Sequence, residues 1–176
     1  MKNVICIIGQ ISSGKSYLAS EISKKLDIPI VSFGKYLVNY SRENNLSTER
    51  ADLQDLGEKF IKQDAEKFLQ NVIQYSAPVE DKIIIEGVRH LSIQNAIVNS
   101  FNSHYFIFCD TPDAIRYERF IFRNKESDSI KTMESFDNAN AHKVEQEIPL
   151  LKDRCNFHLT VTDESRSQLY KELSHL

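Results

Sequence analysis

The stretch from Val4 to Leu26 constrains the fold of this chain more than any other. An apolar, β-branched run, Val4 to Ile8, leads into Gly9, and Gly14, Lys15 and Ser16 follow at fixed offsets before a helical run from Lys15 to Leu26. That spacing, G-x-x-x-x-G-K-[ST] set between a strand and a helix, curls the backbone so that successive N–H groups point into one concavity. The helix amino terminus adds partial positive charge at the same place. A glycine turn whose lysine and serine stand there by chance is the alternative, and the agreement of strand, loop and helix argues against it. Gly9, Ser12, Ser13 and Gly14 then form a cradle for phosphate oxygens. Lys15 reaches the β- and γ-phosphates of a nucleotide such as ATP, and the Ser16 hydroxyl ligates the bridging Mg2+.

Short apolar runs alternate with helical segments along the rest of the chain, the pattern of an α/β fold with a parallel sheet covered on both faces. Strands are predicted at Val4 to Ile8, Pro29 to Phe33, Lys82 to Glu86, Tyr105 to Cys109 and Phe157 to Thr162. About fifty residues separate the second and third strands, more than a crossover helix needs, so residues 34–76 read as a helical insertion. Leu53, Leu56, Phe60, Phe68, Val72 and Ile73 recur there at three- and four-residue steps, marking one amphipathic helix or a broken pair, with Gly57 a point where continuity is weakest. The polar segment from Arg123 to Lys143 reads as an exposed loop or lid, with 124–142 as its span.

With 176 residues, the chain suits a single domain over 1–176. Its net charge of -3 offers no general attraction to nucleic acid or to an anionic membrane, so phosphate binding must come from locally placed groups. No apolar run approaches the roughly 18 residues of a membrane span, and the start does not read as a signal peptide, so a cytoplasmic location is expected. Cys6, Cys109 and Cys155 lack the paired spacing of a zinc site or a disulfide framework.

A phosphate loop alone does not separate kinases, GTPases and motors. No N-K-x-D segment for reading guanine is present, and the chain is too short to carry the domains a motor drives. At the end of the third strand stands IIIEGVRH, which puts Glu86 at the carboxyl edge of the sheet, where ligands of open parallel sheets bind. Glu86 can hold Mg2+ through a water, and Arg89 can pair with an acceptor phosphate; a turn cap and a solvated surface charge are the plainer readings. After the fourth strand, Arg116, Arg119 and Arg123 share one helix face, with ion pairing to Asp113, Glu118 or Glu126 as the alternative to a phosphate role.

This order of strand, loop, insertion, acidic-Gly-x-Arg and arginine-bearing helix resembles the nucleoside monophosphate kinase group, including adenylate kinase and dephospho-coenzyme A kinase. The stretches VSFGKYL, LQDLGE, EGVRH and AHKVE are also similar to a set of small bacterial kinase-like P-loop proteins. The resemblance implies a three-layer P-loop NTPase fold with a five-stranded sheet in the order 2-3-1-4-5. It also implies a short lid, ATP as donor and a small-molecule phosphate acceptor; the charge balance adds the expectation of no nucleic acid or membrane partner. Gly34 matches the glycine opening the monophosphate-binding helix. The aspartate and arginine that follow in those enzymes are replaced here by Lys35 and Val38, leaving Arg42 one turn later. Arg119 and Arg123 match the pair lying against adenine and the transferred phosphates, and His142 matches the histidine of AHxxE. Lys125, Lys131 and Lys143 are the cations of the lid region.

Relatives that phosphorylate hydroxyls place a proton-accepting carboxylate at the end of the second strand, where this chain reads IVSFGKY with no acid. The expected acceptor is therefore a phosphate, held by Lys35, Arg42 and Arg89, with Arg50 and Gln54 positioning its base or simply occupying an exposed helix face. The expected reaction is phosphoryl transfer to a nucleoside or deoxynucleoside monophosphate. A dephospho-coenzyme A kinase-like hydroxyl kinase and a nucleotide-binding regulatory module remain as alternatives.

Overall fold

The computed structural model describes residues 3–77, 80–122, 131–160 and 162–173. The apolar runs form β1 (Asn3–Ile8), β2 (Ile30–Ser32), β3 (Lys82–Val88), β4 (Ser103–Cys109) and β5 (Phe157–Leu159), all parallel in the order β2-β3-β1-β4-β5. β1 is central, and its side chains alternate between two cores. Val4, Cys6 and Ile8 pack with Val72, Ile97 and Leu151, while Ile5 and Ile7 pack with Leu18, Ile22 and Leu169. Each such side chain removed from water contributes about 1.5–3 kcal/mol, which is why a strand covered on both faces is apolar at every position.

Helices α1 (Lys15–Leu26), α2 (Phe33–Glu43), α3 (Arg50–Ser76), α4 (Leu91–Ser100) and α5 (Asp113–Phe122) come first; α6 (Met133–Ala141), α7 (Lys143–Gln146), α8 (Ile148–Lys152) and α9 (Asp163–Leu173) complete the described elements. β2 ends earlier than its apolar run because the Ser32 hydroxyl caps α2, accepting from the Lys35 N–H at 3.3 Å. β3 runs two residues past Glu86, and its register with β1 slips between Ile7 and Ile8 around Gly87, whose φ of +89° only glycine adopts easily.

The insertion is α2 and α3. The break in α3 is at Asp64 (φ −170°, ψ 102°), whose carboxylate caps the second half by accepting from Lys67 N–H at 2.9 Å. Gly57 is not a break but a contact: a Cβ there would stand 3.2 Å from Leu37 Cδ1, so the missing side chain lets α3 close on α2. Phe33, Tyr40, Phe60 and Phe68 fill the space between them, with edge-on pairs at 5.1 and 5.0 Å.

The polar segment expected to be a loop contains α6. Thr132 and Ser135 close a reciprocal capping box, and Phe136 and Ala139 anchor the helix against Ile11 and Phe120. Two apolar anchors are too few to register as a period. Residues 123–130 of that segment lie outside the described residues. Among the described residues, no helix is long and apolar enough to cross a membrane.

Candidate active site

Between β1 and α1 the chain reverses through three residues of positive φ: Gly9 at +152°, Ser12 at +60° and Gly14 at +95°. A side chain at Gly9 has no room, since its Cβ would lie 2.6 Å from Ser13 Oγ and 2.9 Å from the Cys109 carbonyl. The backbone therefore curls tightly over the end of β4. Burial beneath it pushes the Cys109 thiol up to about 11, so that group stays neutral under the loop. Lys15 Nζ donates to the Gln10 carbonyl at 2.5 Å and Ser13 Oγ at 3.4 Å, and Ser16 stands exposed in the first turn of α1.

Two arginines of α5 brace this loop from one side. Arg119 donates to the Ser13 carbonyl at 3.2 Å, an oxygen that also accepts from the Thr111 hydroxyl at 3.0 Å, and its Nη1 stands 3.2 Å from where a Gly14 Cβ would be. Arg116 is wholly buried. It donates to the Ile11 carbonyl at 3.2 Å, to Asn140 Oδ1 at 3.0 Å and to Asp113 Oδ1 at 2.8 Å. The ion pair to Asp113 is one the sequence allowed, but the grip on the loop was invisible there. Arg123 lies outside the described residues.

A cavity of about 780 Å³ opens in front of the loop and extends under the insertion. Its wall brings together Ser12, Ser13, Gly14, Lys15, Ser16 and Arg119 on one side with Gly34, Lys35, Arg42, Arg50, Gln54, Glu86 and Arg89 on the other. Gln54 is buried and its Nε2 has no hydrogen-bond partner, unlike an exposed helix-face residue. Glu86 is also buried, and parallel register sets it opposite Ser32, whose hydroxyl donates to Glu86 Oε1 at 2.8 Å. The end of β2 thus has a carboxylate after all, delivered by the neighbouring strand.

Ser16 and Glu86 fit a hard cation, since both offer oxygen and both line the cavity. Among the described residues no group of three His, Cys, Asp or Glu converges, so a cation there would complete its shell from phosphate and water. Arg89 pairs with Glu145, a buried acid of α7 that stands last in the AHKVE stretch and to which the sequence reading gave no role. His142 is not in the cavity wall; its Nδ1 accepts from Val144 N–H at 3.4 Å and its Nε2 is 3.6 Å from Asp55, so it caps α7. Lys143 pairs with Glu58, a residue of the cavity wall, and with Lys62 it holds that carboxyl at about 2.

The sheet order, the loop between the central strand and α1 and the covering helices define a P-loop NTPase fold. The chain matches the AAA domain family, AAA_17, over residues 8–137, and it belongs to that family. No curated protein matches it at a significant level. Among solved structures, it is similar to shikimate kinase from Bacteroides thetaiotaomicron (18% identity, TM-score 0.57, 98% of each chain covered). It is also similar to shikimate kinase from Aquifex aeolicus (17%, 0.58, covering 98% of this chain and 96% of that one) and from Acinetobacter baumannii in complex with shikimate (11%, 0.64, 99% and 94%). At these identities the likeness is one of fold.

Proposed function

We propose that the protein transfers the γ-phosphoryl group of ATP to a small phosphorylated metabolite, a nucleoside or deoxynucleoside monophosphate. The observation that carries this reading is the continuity of one cavity from the phosphate loop to the cations Lys35, Arg42 and Arg89 and the amide of Gln54. Donor and acceptor held in one continuous cavity would meet the positioning requirement that dominates phosphoryl transfer. Lys15 and the loop N–H groups hold the donor, and Arg119 and Arg89 face the charge that develops on the transferred group. Mg2+ bound with the nucleotide would be held by Ser16 and, through water, by Glu86, and would neutralise charge on the β- and γ-phosphates. Arg123 belongs to the same proposal from its sequence position. Gln54 offers the amide edge that can read a base, because a buried amide N–H without a partner costs free energy until a ligand satisfies it.

A hydroxyl acceptor is the second reading, and the carboxylate of Glu86 beside Ser32 favours it, as do kinases named for shikimate among the neighbours in fold. One screen separates the readings: magnesium ATP with the common NMPs, dNMPs, nucleosides, shikimate and dephospho-coenzyme A, following ADP release. Release that depends on a monophosphate is the expected result. Release only with a hydroxyl compound lacking an acceptor phosphate would transfer the assignment to the second reading. Tight ATP binding with no productive acceptor would make the protein a nucleotide-binding module.

A further inference from the structure

Glu145 is nearly the least suitable residue to bury where it stands. It is 2% exposed, it lies on the four-residue helix α7, and one of its oxygens, Oε2, has no hydrogen-bond partner. Its other oxygen accepts from Arg89 Nη1, 56 residues away in sequence. A buried ion pair with one oxygen left over is poor value for stability, since an apolar pair of similar shape does as well. What it does secure is a direction. Arg89 is part of the cavity wall and Glu145 is not, so the carboxylate holds the guanidinium from behind, with Arg89's remaining donors available to the cavity.

The neighbouring contacts make this grip rigid. Glu147 accepts from Leu91 N–H at 2.9 Å and sits 3.1 Å from His90 Nδ1, so the two residues after Arg89 are tied to the same segment. At its other end, Lys143 pairs with Glu58 on α3. Residues 142–147 therefore bridge the insertion and the end of β3, with Val144 set into the cavity wall between them.

We propose that Glu145 is a positioning residue: it fixes the fork of Arg89 toward the phosphate that the cavity receives. The inference rests on the phosphoryl-transfer reading above for its catalytic consequence, but not for its geometry. Two measurements keep these apart. Phenylglyoxal modification located by mass spectrometry reports the guanidinium directly. Arg89 should react faster in Glu145→Ala than in the wild type, Glu145→Gln, whose amide oxygen still accepts from Nη1, should lie nearer the wild type, and Arg42 and Arg119 should not change. In the kinetic arm, using whichever monophosphate the screen finds productive, Glu145→Ala should lower kcat by about 10²-fold, the scale of a misplaced transition-state group, with KM for ATP unchanged. Adding Glu145→Ala to Arg89→Ala should cost nothing more, because the two residues act as one unit. Wild-type reactivity of Arg89 in both Glu145 variants would overturn the proposal, and so would a full multiplicative loss in the double variant. A wild-type enzyme with no productive acceptor would count against phosphoryl transfer and leave the modification result to decide the positioning role.

Discussion

Replacing Arg116 with Met should destabilise the protein by about 2–4 kcal/mol, and the figure follows from its contacts. Methionine keeps an unbranched stem against Phe136, over whose ring the guanidinium carbon sits at 5.4 Å, but supplies no donor. The buried Ile11 carbonyl and the half-buried Asn140 Oδ1 lose their partner, at about 1–3 kcal/mol for an acceptor left unpaired, with Asn140 at the low end. Asp113 adds little, since its side chain is 78% exposed and water replaces the lost pair. Relief comes from Arg116 Nε, buried without a partner in the native protein, which draws the total to the lower half of that sum. For a chain of this length the melting temperature should fall by roughly 5–15 °C. Thermal melts by circular dichroism read the stability, and titration with ATP should show weaker binding, because Ile11 belongs to the loop. Arg116→Lys should behave like the methionine variant, since a single ammonium cannot reproduce the planar fork that reaches three acceptors. A melting temperature within about 1 °C of the wild type would refute the argument that this buried cation braces the loop.

Gly9→Ala meets the Cys109 backbone carbonyl at 2.9 Å as well as the Ser13 hydroxyl at 2.6 Å, and should abolish measurable ATP binding in calorimetry while β1 and the sheet persist in the far-UV spectrum. Arg119→Ala should lower phosphoryl transfer by about 10³-fold in single-turnover assays, and an unchanged rate would remove Arg119 from the reaction. In its pair with Lys143, Glu58 is held at about 2 against an ordinary value of 4.5, so it binds fewer protons folded than unfolded between those values. Its contribution is complete above about pH 4.5 and lost as pH falls toward 2. Lys143→Met should therefore weaken the protein at pH 7 and shrink its difference from the wild type as the pH falls through that window, with added salt shrinking it too. Urea midpoints that differ equally at pH 7 and pH 2 would contradict this.

The parts legible in the sequence are those whose causes are local. A phosphate loop declares itself because eight consecutive residues carry the whole device, and doubly buried strands declare themselves by unbroken apolarity. What stayed hidden depends on partners brought together by the sheet order: Arg116 and Ile11 are 105 residues apart, Arg89 and Glu145 are 56, and Ser32 and Glu86 are 54. No spacing rule relates such residues before β3 is known to lie beside β2, and β1 between β3 and β4. Gly57 was misread for a similar reason, because its lack of a side chain answers to Leu37 on another helix and not to the path of its own.

The same long-range logic bears on the acceptor. Counting acids at the end of one strand undercounts them in a parallel sheet, where the adjacent strand ends at the same edge, and Glu86 stands beside Ser32 on that account. One oxygen of this carboxylate is already committed. Its Oε1 is engaged by the Ser32 hydroxyl, and that hydroxyl in turn accepts from Lys35 N–H to begin α2. Removing that hydroxyl, as in Ser32→Ala, should therefore cost the α2 cap about 1 kcal/mol and unsettle the helix that carries Lys35 and Arg42 into the cavity. Glu86, Ser32 and the first turn of α2 are thus one hydrogen-bonded unit in the cavity wall, and the proposed phosphate acceptor, already ionised, would need no base from it.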